Sequence, residues 1–323
     1  MLINLESCFM IEIRKDYILD RWSYIAKDRG KRAKQFEKSE ENLGKDPVCF
    51  FCPGNEKLTP PEIGRVGDGK NWKVRWFPNK FSAVDEKADV KIKTSDKYYT
   101  TGKAFGYHEV IAETPDHKRQ LADLNEDEIK EVLQVYSLRM KDLQKRKGIK
   151  YVQIFKNSGA EAGTSIIHTH TQIIATTIVP RLVREKIEAL KKYKKCPYCD
   201  IIKKEEKSER LIYSDDNFAA FTLFAPRFNF EAWIFPKKHY KNITELNGEE
   251  LESLAKAFKK ILSKLASINA PYNFYLHYSP KGKDLHFHFE ITPRLNKWAG
   301  FELATESYII ITSPEDAAKF YRE

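Results

Sequence analysis

NSGAEAGTSIIHTHTQ, residues 157–172, sets a loop with Gly159 and Gly163 against a segment that alternates His168, His170 and Gln172. In a β-strand, residues two apart share a face, so a strand here presents those three side chains together. A second His-x-His stands at 286/288, in KGKDLHFHFE (281–290). The segments upstream of the two also match. YVQIF from Tyr151 and YNFYLHY from Tyr272 read as strands. Before each lies an Asn three residues ahead of a Glu, in LNEDE (124–128) and LNGEE (246–250). That spacing is a capping box, which satisfies the free N–H groups at a helix start. Apolar residues follow at helical spacing, Ile129, Leu133, Val135, Tyr136 and Met140 in one half, Leu251, Leu254, Phe258, Ile261 and Leu265 in the other.

Further out the parallel continues. Glu109, His117 and Asn125 are eight apart, as are Glu231, His239 and Asn247, and Cys49-x-x-Cys52 and Cys196-x-x-Cys199 open the two sets. One unit thus occurs twice at a period of about 120 to 150 residues, which is a duplicated domain rather than a short-repeat solenoid. The expected architecture is α+β, with mainly antiparallel sheets and packed helices. The expected domains are 1–180, carrying the chemistry, and 181–323, with RLVREKIEALKKYKK (Arg181–Lys195) as a charged joining helix.

Two thiolates from a Cys-x-x-Cys turn can reach one ion, and zinc takes four N or S ligands in a tetrahedron. The first half offers His108, His117, His168 and His170; the second offers His239, His277, His286 and His288. Matching the registers selects Cys49, Cys52, His117 and His168 for one zinc and Cys196, Cys199, His239 and His286 for another. The alternative role for these cysteines is redox chemistry or packing. Cys8 is left over, with a minor packing role expected.

His170 then stands beside a metal ligand and remains free for chemistry. A neutral imidazole can attack an α-phosphorus in line to give a phosphoramidate. The Gly159–Gly163 loop lets backbone amides approach a phosphate. Thr164 and Ser165 add hydroxyl donors, and Gln172 donates to a non-bridging oxygen without being a nucleophile. Arg29 and Arg32, in WSYIAKDRGKR, are phosphate-clamp candidates, because guanidinium forks fit phosphate oxygens. The second half has Glu290 where the first has Gln172, and a carboxylate repels phosphate. That half is therefore expected to be structural, with His288 as a core histidine or auxiliary ligand.

The formal charge of +10 over 323 residues suits polyanionic ligands, which include nucleotides and sugar phosphates. A zinc-stabilised nucleic-acid-binding protein is the rival class. It requires basic residues gathered on one face, whereas Lys and Glu are interspersed here, so no nucleic-acid partner is expected. No window reaches the roughly 18 apolar residues of a membrane span. MLINLESCFMIEIRKD, at the start, carries Glu6 before any basic residue and has no long apolar core, so it does not read as a secretory signal. The expected compartment is the cytoplasm.

These residues, with CFFCPGNE, FPNKF, GYHEVIAETPDH and GFELATESYIIITSPEDAAKF, make the chain resemble galactose-1-phosphate uridylyltransferases and their relatives the ADP-glucose phosphorylases, in the histidine-triad superfamily. The resemblance spans nearly the whole chain. It implies two histidine-triad-like domains with half-barrel sheets, a homodimer and ping-pong chemistry. The reaction implied is UMP transfer from UDP-glucose to galactose 1-phosphate through His170. An adenylyl version, using phosphate or a sugar phosphate as acceptor, is the alternative. The resemblance also places Asn157, Gly163, Ser165 and Gln172 at phosphate-handling positions, Arg29 and Arg32 as phosphate contacts, and Asn79 with Phe81 in the base pocket. Glu302 matches a Glu that binds sugar hydroxyls, and Cys49, Cys52, His117 and His168 match a zinc site. Two features depart from it or divide it. Thr169 stands where best-known bacterial members have Pro, and the second Cys pair resembles two-zinc members. CPYCDIIKKE also resembles the opening of a simple histidine-triad hydrolase, which keeps His288 as a minor candidate.

Overall fold

A computed structural model describes residues 11–15, 22–25, 48–69 and 71–323. The first half runs β1 (Glu12–Lys15), β2 (Trp22–Ile25), β3 (Gly64–Asp68), β4 (Asn71–Pro78), β5 (Ile92–Ser95), β6 (Tyr99–Lys103), β7 (Gly106–Ala112), α1 (Glu126–Leu143), β8 (Tyr151–Ser158) and β9 (His170–Thr176). After α2 (Arg181–Leu190) come α3 (Pro197–Glu205), β10 (Leu211–Ser214), β11 (Phe218–Thr222), β12 (Ala232–Pro236), α4 (Gly248–Ser267), β13 (Tyr272–His277), β14 (His288–Pro293), α5 (Gly300–Thr305) and α6 (Pro314–Arg322).

Ten strands form one sheet in the order β10-β11-β12-β14-β13-β8-β9-β7-β4-β3. From its centre outward the order is mirrored, β8-β9-β7-β4-β3 on one side and β13-β14-β12-β11-β10 on the other. The pattern is that of a duplicated α+β domain whose copies join edge to edge at β8 and β13, where Asn273 faces Asn157. All strand pairs in this sheet are antiparallel. A smaller sheet, β2-β1-β6-β5, belongs to the first half only.

The expected capping boxes form. The Asn125 carboxamide accepts from Glu128 N and the Glu128 carboxylate accepts from Asn125 N; Asn247 and Glu250 do the same for α4. The apolar stripes of both helices are buried in one continuous core against the sheet, and α1 packs on α4. Burying such faces stabilises the fold by about 1.5–3 kcal/mol per large aliphatic side chain. One face of β8 and β9 is thereby given to the core (Val152, Ile154, Ile173, Ala175), and the other is left for Asn157, His170 and Gln172.

Two details differ from the sequence-based expectation. The joining helix stops at Leu190, and Lys191–Lys195 form turns and bends, since consecutive lysines around Tyr193 have no acidic partners at helical spacing beyond Glu188. Glu109 and Glu231, alike by spacing, are not equivalent in the sheet. Val110 faces Gln172 and Trp233 faces Glu290, so the second half runs one residue shorter between that strand position and its next His.

Candidate active site and metal centres

The loop before His170 needs its glycines. Gly159 and Gly163 have φ of +86° and +85°, which L side chains rarely adopt. A Cβ on Gly159 would also lie 2.7 Å from Pro271, which holds the loop against the second half. Thr164 Oγ1 donates to Asn157 O at 3.0 Å, and Asn273 Nδ2 bridges Asn157 Oδ1 and Ala162 O at 2.9 and 2.8 Å. A cleft of about 530 Å³ under this loop is lined by Asn157, Gly159, Thr164, His168 and His170 among others.

His170 is held in one tautomer. Its Nδ1–H donates to His168 O at 2.9 Å, which leaves the lone pair on Nε2. Burial, and after it the Lys156 ammonium behind the strand, push its pKa down to about 4. The imidazole is therefore the free base, the nucleophilic form, throughout the neutral range. The rate of any reaction that begins with attack by Nε2 is expected to stay level down to about pH 5 and to fall below that as the ring protonates. An ordinary histidine would begin losing activity near pH 6.5. Single-turnover rates from pH 4 to 8 measure this directly.

Gln172 is held as firmly. His108 Nδ1 accepts from Ala83 N–H at 3.1 Å, and His108 Nε2 lies 2.9 Å from Gln172 Oε1. Asn79 Nδ2 is 3.3 Å from the same oxygen, while Asn79 Oδ1 accepts from Phe81 N at 2.9 Å.

Behind the strand sits a buried ion pair. The Lys156 ammonium donates to Glu113 Oε2 at 2.6 Å, Thr169 Oγ1 at 2.8 Å and His170 O at 3.0 Å, using all three N–H groups. Glu113 also accepts from Tyr136, Thr169 and Thr171. Burial pushes Glu113 up, but Lys156 and these hydroxyls outweigh it and hold the carboxyl below its usual range. Thr169, between the two histidines, thus ties the His strand to this pair through its hydroxyl.

Cys49, Cys52, His117 and His168 gather their Sγ and Nδ1 atoms within 4.8 Å of one another, and so do Cys196, Cys199, His239 and His286. Sγ to Nδ1 distances are 3.6, 3.4 and 3.6 Å at the first group and 3.9, 3.5 and 3.5 Å at the second. A tetrahedral ion with Zn–S near 2.3 Å and Zn–N near 2.05 Å requires an S···N edge of about 3.6 Å. The far nitrogens are engaged. His168 Nε2 donates to Thr114 O, His286 Nε2 to Pro236 O, and His239 Nε2 pairs with Asp284. Such partners turn Nδ1 toward a metal. Without a cation, burial and the neighbouring Cys49 push the Cys52 thiol up to about 12. Two adjacent thiolates need a metal's charge. Both groups fit a metal ion, which would pin strand ends and, with four protein ligands, leave no open position for substrate. Cys52→Ser is expected to lower bound metal by one ion per chain and to reduce thermal stability, as read by elemental analysis and a melting curve.

The second His-x-His is closed. His288 Nδ1–H donates to His286 O at 2.9 Å, as in the first half, but its ring is stacked by Trp233 (4.8 Å) and Phe235 (4.7 Å). In the first half the residue facing Gln172 is Val110 and the one facing His170 is Ala112. Lys186 of α2 fills what space is left. Its ammonium meets His277 Nδ1 at 2.8 Å, His288 Nε2 at 3.0 Å and Glu290 Oε1. Glu290 also accepts from Arg227. Large aromatics and a buried cation thus occupy the ground that is open around His170.

Among the other expected residues, Arg29 and Arg32 lie outside the described residues, as does Cys8. Ser165 is exposed on the loop. Glu302 accepts from Ala299 N at 3.0 Å, capping its own short helix, and does not line the cleft at His170. Sequence reasoning missed Glu113, Lys156 and Lys186. His108 it weighed only as a possible metal ligand.

Fold and site together define a duplicated histidine-triad protein in which one His-x-His-x-Gln centre is open and its copy is sealed. Residues 6–180, more than half of the chain, match the family model described as galactose-1-phosphate uridyl transferase, N-terminal domain. Residues 195–298 match the model for scavenger mRNA decapping enzyme C-terminal binding. ADP-glucose phosphorylase of Arabidopsis thaliana is 34% identical over 97% of this chain and 92% of its own length. Galactose-1-phosphate uridylyltransferase of Thermotoga maritima is 28% identical over 97% and 98%. A solved uridylyltransferase mutant superposes with a TM-score of 0.81 at 30% identity, covering 97% of each chain. The chain belongs to the galactose-1-phosphate uridylyltransferase family and is a nucleotidyltransferase.

Proposed function

We propose that the chain moves a UMP group from UDP-glucose to galactose 1-phosphate in two displacements at His170. Nε2 attacks the α-phosphorus, the bond to the β-phosphate oxygen breaks, and glucose 1-phosphate leaves. A phosphate oxygen of galactose 1-phosphate then attacks the same phosphorus, the N–P bond breaks, and UDP-galactose departs. The observation that carries this is His170 itself, a neutral buried imidazole with Nε2 open and Gln172 two residues along the same strand face. The Gln172 amide and the Ser165 hydroxyl hold the non-bridging oxygens, while Gly163 and Thr164, whose N–H and hydroxyl are given to Ala160 O and Asn157 O, shape the loop beside them with Asn157. Arg29 and Arg32 clamp the phosphates, Asn79 and Phe81 line the base pocket, and Glu302 serves the sugar hydroxyls. The two Cys-His groups hold zinc. The working form is a homodimer in the cytoplasm, its halves dividing at residue 180.

Adenylyl transfer is the second reading. It is favoured by the 34% identity to the Arabidopsis thaliana ADP-glucose phosphorylase and by the likeness to a solved ADP-glucose phosphorylase with bound ADP-glucose (TM-score 0.77, 31% identity, 96% of this chain and 98% of that one). Single-turnover release of glucose 1-phosphate from UDP-glucose and from ADP-glucose separates them. Uridylyl transfer predicts at least a tenfold faster burst with UDP-glucose, and the reverse order would move the protein to the adenylyl branch.

A further inference from the structure

Gln172 can serve a phosphate only with its amide end. A carboxamide is nearly symmetric, so something must decide whether oxygen or NH₂ faces the substrate. The surroundings of Gln172 contain such a device. Ala83 N–H donates to His108 Nδ1 at 3.1 Å, so that nitrogen carries no proton and the neutral ring has its hydrogen on Nε2. Nε2–H is 2.9 Å from Gln172 Oε1. Phe81 N–H takes Asn79 Oδ1 at 2.9 Å, turning Asn79 Nδ2 toward the same Gln172 oxygen at 3.3 Å and to within 3.1 Å of His108 Nε2. Two backbone N–H groups of the 79–84 turn thus orient two side chains whose nitrogens converge on one oxygen, His108 Nε2 the nearer of the two. His108 is 4% exposed and Gln172 9%, so water does not compete for these contacts.

We infer that His108 is a positioning residue for nucleotidyl transfer: the Ala83 N–H–His108–Gln172 relay, with Asn79 beside it, locks the Gln172 carbonyl away from the reacting phosphorus and aims its NH₂ at a non-bridging oxygen. This rests on the proposed role of Gln172, and it adds a residue that the metal and nucleophile assignments leave without work. The second half has no such relay. There Glu290, opposite Trp233, needs no orientation and is held by Lys186 and Arg227. A reversed Gln172 would present its carbonyl lone pairs to phosphate oxygens, replacing an attraction by a repulsion in a site with little water.

Two substitutions separate the relay's halves. His108→Asn places an amide oxygen where Nδ1 was, keeping the Ala83 contact, but its side chain is too short to reach Gln172. His108→Gln reaches Gln172 with its NH₂ and gives up the Ala83 contact. The expected kcat is about 10- to 100-fold down for His108→Asn and within about threefold of the parent for His108→Gln. Combining His108→Asn with Gln172→Leu is expected to be no slower than Gln172→Leu alone, because His108 acts only through Gln172. Equal losses in the Asn and Gln variants, a larger loss in His108→Gln, or a loss that adds to that of Gln172→Leu would overturn the proposal. Each of those results marks a packing role. The parent protein is also examined for a covalent adduct with UDP-glucose and ADP-glucose. A parent that turns over without an adduct contradicts the covalent reading of His170, while the same kcat ratios still judge His108.

Discussion

His170→Ala is expected to reduce nucleotidyl transfer by about 10⁴- to 10⁶-fold, the scale of losing a covalent nucleophile, while metal content and melting temperature stay close to the parent's. The asymmetry follows from what the ring touches. Among the described residues its ring's one fixed hydrogen bond is to His168 O, two residues away, and its nearest ring neighbour is Phe51 at 5.3 Å, so truncation removes little packing. His168, by contrast, belongs to the Cys-His group and cannot be changed without disturbing it. His288→Ala is the informative companion. His288 packs on the paired rings of Trp233 and Phe235 and meets the Lys186 ammonium, so its loss should lower stability and leave turnover within a few-fold. Steady-state assays with melting curves on both variants check the pair of expectations. Turnover that survives His170→Ala and dies with His288→Ala would reverse the assignment of the two sites.

Lys156→Met carries the largest expected effect on stability. The Lys156 and Glu113 side chains are 1% and 0% exposed. Removing the ammonium leaves a carboxylate with its hydroxyl partners but no cation, and breaking a buried pair in this way costs about 3–5 kcal/mol. For a chain of this size that is a drop of roughly 10 °C in melting temperature. Adding Glu113→Gln should recover part of the loss, because the uncompensated charge goes with it. The pH dependence has a definite sign. Glu113 is held below its ordinary value in the folded parent, so its contribution is present above the unfolded-state pKa near 4.5 and disappears as pH falls through the depressed value. In Lys156→Met burial is no longer outweighed and the carboxyl moves up, so the parent's advantage is largest at high pH and shrinks as pH falls and the variant's Glu113 takes up its proton first. Activity should fall too, since Lys156 donates to the His170 carbonyl.

Much of this molecule is legible in its sequence, and particular residues show why. Asn125 and Asn247 cap their helices through contacts three residues long, so local spacing reveals them. The two Cys-His groups are legible because two copies constrain each other. His117 and His239 come together with their cysteines in the structure although 65 and 40 residues separate them. The two ends of the His-x-His-x-Gln strand follow from period-two alternation. What escaped notice depends on long-range register. Lys156 reads as one more surface lysine in a chain with 56 Lys and Arg, and only the pairing of β8 with β9 turns it toward Glu113. Lys186 sits in a charged helix that reads as a linker, yet it fills the second site. Trp233 and Phe235 read as core strand residues; that they seal His288 depends on which face of β12 they share. The Glu109/Glu231 equivalence failed for the same reason, since a one-residue difference in the following loop is invisible to spacing alone.

The most direct test of covalent transfer through His170 is intact-mass and peptide analysis after incubation with UDP-glucose alone, in the absence of any acceptor. The proposed uridylyl transfer predicts a UMP-sized adduct that maps to the peptide containing His170, is absent from His170→Ala, and disappears when galactose 1-phosphate is added. An adduct on the peptide containing His288, or turnover by a parent enzyme that never carries an adduct, would contradict it.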